Sequence, residues 1–132
     1  MKDTEIGPAF SSQKRLRIAV VGSRGFTDWE LFSTELDRIL STRNIECLVS
    51  GGAVGADQFA ERYGGLKGIP VTVFPAGWNL YGSKAGPKRN KQIVAHSDLV
   101  VAFWDGVSTG TRMTVAWARR QGLEVIVVQV QA

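Results

Sequence analysis

The chain has 132 residues, of which 44% are hydrophobic and 21% charged, the proportions of an ordinary globular protein with a sizeable core. No apolar run approaches the roughly 20 residues of a membrane span, and the single cysteine, Cys47, excludes an internal disulfide. A formal charge of +4 favours anionic partners only mildly and suits a nucleotide as well as a nucleic acid.

Residues 1–15 follow neither helical nor strand period, and Gly7-Pro8 and Ser11-Ser12 would break any element, so a flexible tail is expected before one domain over 16–132. No signal peptide opens the chain, which makes the cytoplasm the expected location. Arg17 to Gly22 reads as a first strand, apolar on both faces and therefore central in a parallel sheet. It ends in the glycine turn Gly22-Ser23-Arg24-Gly25-Phe26. Thr27 as N-cap with Glu30 three residues on reads as a capping box, and Trp29, Phe32, Leu36, Ile39 and Leu40 give the next helix its core stripe.

Cys47-Leu48-Val49 has the character of a short buried strand, which makes the Cys47 thiol buried and inert. The turn Ser50-Gly51-Gly52-Ala53-Val54-Gly55-Ala56-Asp57 follows, and Ala56, Phe59, Ala60 and Tyr63 continue it as one helical face. Strand, glycine turn and helix together can hold an anion, because glycine lets backbone approach a ligand and a helix's first N–H groups lack partners. The helix ends at Gly64-Gly65 or at Gly68. Val71 to Phe74 is a third strand, and Ala76 to Pro87 reads as a long loop, more often functional than idle. Pro87 opens a helix carrying Lys88, Arg89, Asn90 and Lys91. Leu99 to Trp104 is a fourth strand, Asp105-Gly106-Val107-Ser108-Thr109-Gly110-Thr111 a third glycine turn, and a last helix runs to about Gln121. Gly122 and a closing strand, Glu124 to Val130, complete the chain.

This alternation predicts a Rossmann-like, doubly wound α/β fold: a mostly parallel five-stranded sheet with helices on both faces, in the order 3-2-1-4-5. Strands one and four then meet at the switch point, where ligands bind beyond the strands' carboxyl ends. Ser23, Arg24, Asp105 and Gly106 fall there, with Gly51 and Gly52 one strand away.

Arg24 and Arg89 suit forked contacts to phosphate. Asp105 is read as a ligand contact. Asp57 is either a charge matched to a helix start or a ribose-hydroxyl acceptor or general base; Asp57 and Asp105 are the two candidates for a catalytic role. Trp78 and Tyr81 could stack on a base, lid the core or fill a dimer contact. His96 has no partner set and reads as structural, and no Cys, His and carboxylate cluster has metal-ligand spacing, so neither metal nor cofactor is expected.

The segments VVGSRGF, SGGAVGAD, FPAGWNLYGSKAGPKRN and AFWDGVSTGTRMTVAWA together resemble the SLOG superfamily, which unites the DprA/Smf and LOG proteins, and within it the small stand-alone YspA/YpsA-related group. The resemblance runs from about Arg17 to Val128. It implies a Rossmann-like domain that binds a nucleotide or nucleotide-derived molecule, as sensor or sequestering module, with Ser108, Thr109, Gly110 and Thr111 as the phosphate-holding part and Arg89 as the arginine of LOG proteins. With the turns and side chains read above, the candidate ligand-binding residues are these together with Gly22, Ser23, Arg24, Gly51, Gly52, Gly55, Asp57, Trp78, Asn90, Asp105 and Gly106. LOG enzymes hydrolyse nucleoside monophosphates with a glutamate in PGGxGTxxE; the matching residue here is Thr114, which has no carboxylate to stabilise an oxocarbenium ion. LOG-like hydrolysis is therefore the alternative reading. DprA-like binding of single-stranded DNA ranks last, because the positive charges are scattered along the sequence apart from Lys84 to Lys91. The resemblance further implies a homo-oligomer.

Overall fold

The computed structural model describes residues 14–131, with the backbone alone at Trp78 and Asn79, so residues 1–13 of the expected tail lie outside the described residues. In chain order, β1 (Leu16–Gly22) leads to α1 (Trp29–Leu40), and β2 (Ile45–Ser50) to α2 (Ala56–Lys67). After β3 (Val71–Val73) come a short helix α3 (Trp78–Tyr81), a 3-10 turn (Gly82–Lys84) and α4 (Ala85–Ala95). Next, β4 (Leu99–Trp104) feeds α5 (Thr109–Arg120), and β5 (Glu124–Gln129) closes the sheet. The strands lie in the order β3-β2-β1-β4-β5, every neighbouring pair parallel, as the alternation of elements predicts.

Successive side chains of a strand point to opposite faces, so the apolar run of β1 serves two cores. Ile18 and Val20 pack with Phe32, Leu36 and Ile39 of α1 and Ala60 and Tyr63 of α2. That layer is aromatic: the Phe32 and Phe103 rings are 4.7 Å apart, and Phe26 stacks on Phe103 at 5.5 Å. Ala19 and Val21 face the other way, against Ile93 and Val94 of α4 and Val115 and Ala118 of α5. Burying each large apolar side chain contributes about 1.5–3 kcal/mol, so the central strands are anchored from both sides. At the amino end of the sheet, Asp98 accepts hydrogen bonds from the Arg17 backbone and guanidinium and from Lys14. Chiefly the Arg17 guanidinium holds its carboxyl well below the usual carboxylate range.

Three local expectations are corrected. The N-cap of α1 is Asp28, whose Oδ1 accepts from the Leu31 N–H at 3.0 Å. A cap's side chain must reach the second or third helical N–H, as Asp28 does, whereas Thr27 meets the helix through its carbonyl, which accepts from the Trp29 N–H at 3.2 Å. The stretch Ala76 to Pro87 is not a loop: α3 starts right after Gly77, whose carbonyl accepts from the N–H groups of Leu80 and Tyr81. Pro87 is tolerated inside the first turn of α4, because N–H groups there have no helical partner to lose. Cys47 is half-buried in β2 rather than fully enclosed. Among its three candidate glycines, α2 ends at Gly68 (φ +70°), where the Ile69 N–H closes on the Gly64 carbonyl at 2.9 Å.

Candidate functional site

The site begins where β1 and β4 part. Gly22 pairs with Phe103 in register, after which the chain from β1 turns to α1 on one face and the chain from β4 turns to α5 on the other. The two turns remain tied together. Ser23 N–H donates to the Phe103 carbonyl (3.0 Å), the Asp105 N–H donates to Ser23 Oγ (3.1 Å), and the Ser23 and Ser108 hydroxyls lie 3.1 Å apart. Asp105 organises its own turn: Oδ1 accepts from the N–H groups of Val107 and Ser108, both at 2.8 Å, and Oδ2 from the Ser108 hydroxyl at 3.0 Å. The Ser108 N–H above all holds the Asp105 carboxyl below its ordinary range. Asp105 therefore shapes the approach to α5 and does not line the cleft. Gly106 beside it supplies the positive φ (+84°) that the turn requires.

A cleft of about 710 Å³ opens above this junction, between the β1 turn and helices α4 and α5. On one side stands the first turn of α5, where the N–H groups of Thr109, Gly110 and Thr111 make no hydrogen bond among the described residues. Farther along α5 come Met113, Thr114 and Trp117, with Arg120 at the rim. Thr114 is buried, and its hydroxyl donates to the Gly110 carbonyl at 2.9 Å. Its position in the wall thus offers neither a carboxylate nor a free hydroxyl proton. Lys91 of α4 lies 4.6 Å over the Trp117 ring, and Arg120 lies 5.7 Å from it.

On the other side α4 delivers Arg89, only 8% exposed. Its Nη1 donates to the Gly51 carbonyl at 2.7 Å and its Nε to Asn90 Oδ1 at 2.8 Å. This geometry explains Gly51: a Cβ there would stand 2.6 Å from Arg89 Nη1 and 2.8 Å from Asp57 Oδ2. Asp57, in the first turn of α2, is 6% exposed and accepts from the Ala53 N–H at 3.2 Å. Burial pushes its carboxyl up to about 6, against the opposing pull of the Ala53 N–H and Arg89. Burial likewise lowers Arg89, with Asp57 acting in the opposite direction.

Of the residues expected to bind ligand, Gly22, Ser23, Arg24, Asp57, Arg89 and Asn90 line the cleft, as do Ser108, Thr109, Gly110 and Thr111. Gly51, Gly52, Gly55, Asp105 and Gly106 do not. The Trp78 side chain lies outside the described residues. Lys91, expected on α4 but not as a ligand contact, lines the cleft too, as do Met113, Trp117 and Arg120, which the sequence could have flagged because they recur at i, i+4, i+7 on one face of a helix. The fold also overturns the impression of scattered charge. Lys88, Arg89 and Lys91 on α4 and Arg112, Arg119 and Arg120 on α5 share one layer, and neither helix carries an acidic residue. Among the described residues no three metal-binding side chains gather, and no helix is long and apolar enough to cross a membrane.

A sequence profile of the YspA, cpYpsA-related SLOG family matches residues 16–81, half the chain, including β1, β2 and both of their glycine turns. The protein belongs to this family. A relative of this SLOG chain, the Gene 61 protein of Mycobacterium phage D29, is 37% identical over 120 residues, covering 83% of this chain and 94% of its own. Two solved structures share the SLOG fold at 19% identity. DNA processing protein A (DprA) from Streptococcus pneumoniae superposes with a TM-score of 0.68 over 89% of this chain. DprA from Helicobacter pylori, described with its single-stranded DNA binding mode, gives 0.60 over 88%. The SLOG chain spans 51% and 66% of those two proteins, respectively.

Proposed function

We propose that this SLOG protein binds a phosphate-bearing nucleotide or nucleotide derivative in the cleft at the β1–β4 switch point, as a sensor or sequestering module. One observation carries the reading: N–H groups without an acceptor among the described residues, at the first turn of a 12-residue helix, and two arginines, Arg24 and Arg89, line the same cleft. Its volume of about 710 Å³ lies within the range of small-molecule sites. Phosphate sits at Thr109 to Thr111, where dipole and N–H groups both favour an anion, and the base lies along Met113 and Trp117. Binding is favoured over LOG-like hydrolysis because Thr114 stands where that chemistry requires a glutamate. The same reading takes the protein to be a homo-oligomer of the cytoplasm.

The test is a thermal-shift screen against nucleoside monophosphates, ADP-ribose, NAD and cyclic nucleotides, followed by chromatography of each mixture. A ligand at a hundredfold excess over its Kd stabilises the native state by about 2.7 kcal/mol, so a clear rise in Tm with the compound recovered intact is expected. A released base or phosphate would make the protein a hydrolase.

A second reading has its own support. The wholly basic α4–α5 layer beside the cleft, on a fold similar to that of a DprA described as binding single-stranded DNA, suits a polynucleotide backbone. It predicts that the logarithm of affinity for an oligonucleotide falls steeply and linearly with the logarithm of salt. A shallow slope would remove it.

A further inference from the structure

Among the described residues that line the cleft Asp57 is the one carboxylate, and the other charged ones are cationic: Arg24, Arg89, Lys91 and Arg120. A phosphate cannot rest against it without like-charge repulsion. The part of the ligand that meets Asp57 must therefore donate a hydrogen bond. Asp57 Oδ2 is held by the Ala53 N–H, and the Asp57 main-chain carbonyl accepts from the buried Ser50 hydroxyl at 3.2 Å. The carboxylate is thus fixed in place at the carboxyl end of β2, across the β1 turn from α5. In doubly wound nucleotide-binding folds an acidic residue beyond the second strand is the usual partner of a ribose hydroxyl. Within a nucleotide the ribose lies between phosphate and base. With phosphate at the first turn of α5 and base along Met113 and Trp117, the sugar is the part left to face the opposite wall.

We propose that Asp57 accepts a hydrogen bond from a ribose hydroxyl and makes the site selective for ribonucleotides over their deoxy counterparts. The inference rests on the proposed nucleotide site and narrows it. A ligand lacking the hydroxyl leaves a buried carboxylate with one fewer donor, a loss that sites built to bind a hydroxyl feel strongly. It also separates the two readings above, because a site selected for DNA would have no use for a group that demands the ribose hydroxyl.

The experiment is calorimetric titration at pH 8, where Asp57 is charged, of the four ribonucleoside 5′-monophosphates and their 2′-deoxy and 3′-deoxy forms. At least one ribonucleotide binds about tenfold or more tightly than one of its deoxy forms. In Asp57→Asn, which keeps an acceptor for the Ala53 N–H, that ratio, taken between the two forms on the same variant, falls to about twofold. Equal affinity of ribo and deoxy forms for the unmodified protein would overturn the inference and leave the nucleotide site standing; that comparison needs no variant. Discrimination that survives in a folded Asp57→Asn protein would overturn the role of Asp57. No binding of any of these monophosphates, together with no thermal shift from ADP-ribose, NAD or cyclic nucleotides, would overturn both.

Discussion

Gly55→Ala costs the fold about 3 kcal/mol or more, read as a drop in Tm of about 10 °C or more in thermal unfolding. Gly55 has φ +86°, where an L side chain is strained by roughly 1–2 kcal/mol. A Cβ there would also stand 2.5 Å from the Ser23 carbonyl oxygen and 2.9 Å from that of Arg24. Neither neighbour can yield cheaply, since Ser23 is clamped between Phe103 and Asp105. Displacing it would open the junction that positions Ser108. Gly65 is the control. It lies inside α2, with nothing beyond its own helix within 4 Å of the point a Cβ would occupy among the described residues, so Gly65→Ala stabilises by about 0.5–1 kcal/mol. A Gly55→Ala protein as stable as Gly65→Ala would show that the first two turns do not pack as described.

Arg89→Ala weakens phosphate-ligand binding by about tenfold to a hundredfold and destabilises the protein as well. The affinity loss follows from removing a charge-assisted donor in a poorly hydrated site, an effect of about 1.5–3 kcal/mol. The stability loss follows from the Gly51 carbonyl, which loses its 2.7 Å donor, at a cost of about 1–3 kcal/mol. Its pH dependence is diagnostic. The Asp57 carboxyl stands at about 6 in the folded protein, above its ordinary value, so the stability tied to its neutral form is present at low pH and lost as pH rises through 6. Without Arg89 the carboxylate has lost the cation that eases its ionisation, and that loss is felt only where Asp57 is charged. Denaturant unfolding therefore shows a larger penalty at pH 8 than at pH 5. An equal penalty at both would mean that Arg89 and Asp57 do not interact.

The strand order and switch point are legible in the sequence because they depend on local signals. Apolar runs such as RIAVVG and LVVAFW declare strands buried on both faces, and glycine turns mark their ends. The tasks of the glycines are not legible, because they are set by distant residues. Gly51 admits Arg89, 38 residues away, and Gly55 admits the backbone of the first turn. Read locally, both resemble ligand cradles; in the fold they are spaces that protein atoms fill. Asp105 is a similar case, since its bonds to Val107, Ser108 and Ser23 turn a residue at the switch point into a brace. The stretch after Gly77 reads as a loop because glycine and proline mask short helical turns. The basic layer escapes a linear reading, because α4 and α5 are adjacent only after β4 and the crossover bring them together.

Titrating ¹⁵N-labelled protein with nucleoside 5′-monophosphates and following backbone amide shifts decides whether the cleft between the β1 turn and the first turn of α5 is a nucleotide site. The largest shifts are expected at Thr109, Gly110 and Thr111, whose N–H groups have no protein acceptor among the described residues, with Arg24 and Ala53 moving alongside. Shifts confined to α1 and the outer face of α2, or none at nucleotide concentrations up to the millimolar range, would contradict a nucleotide site there.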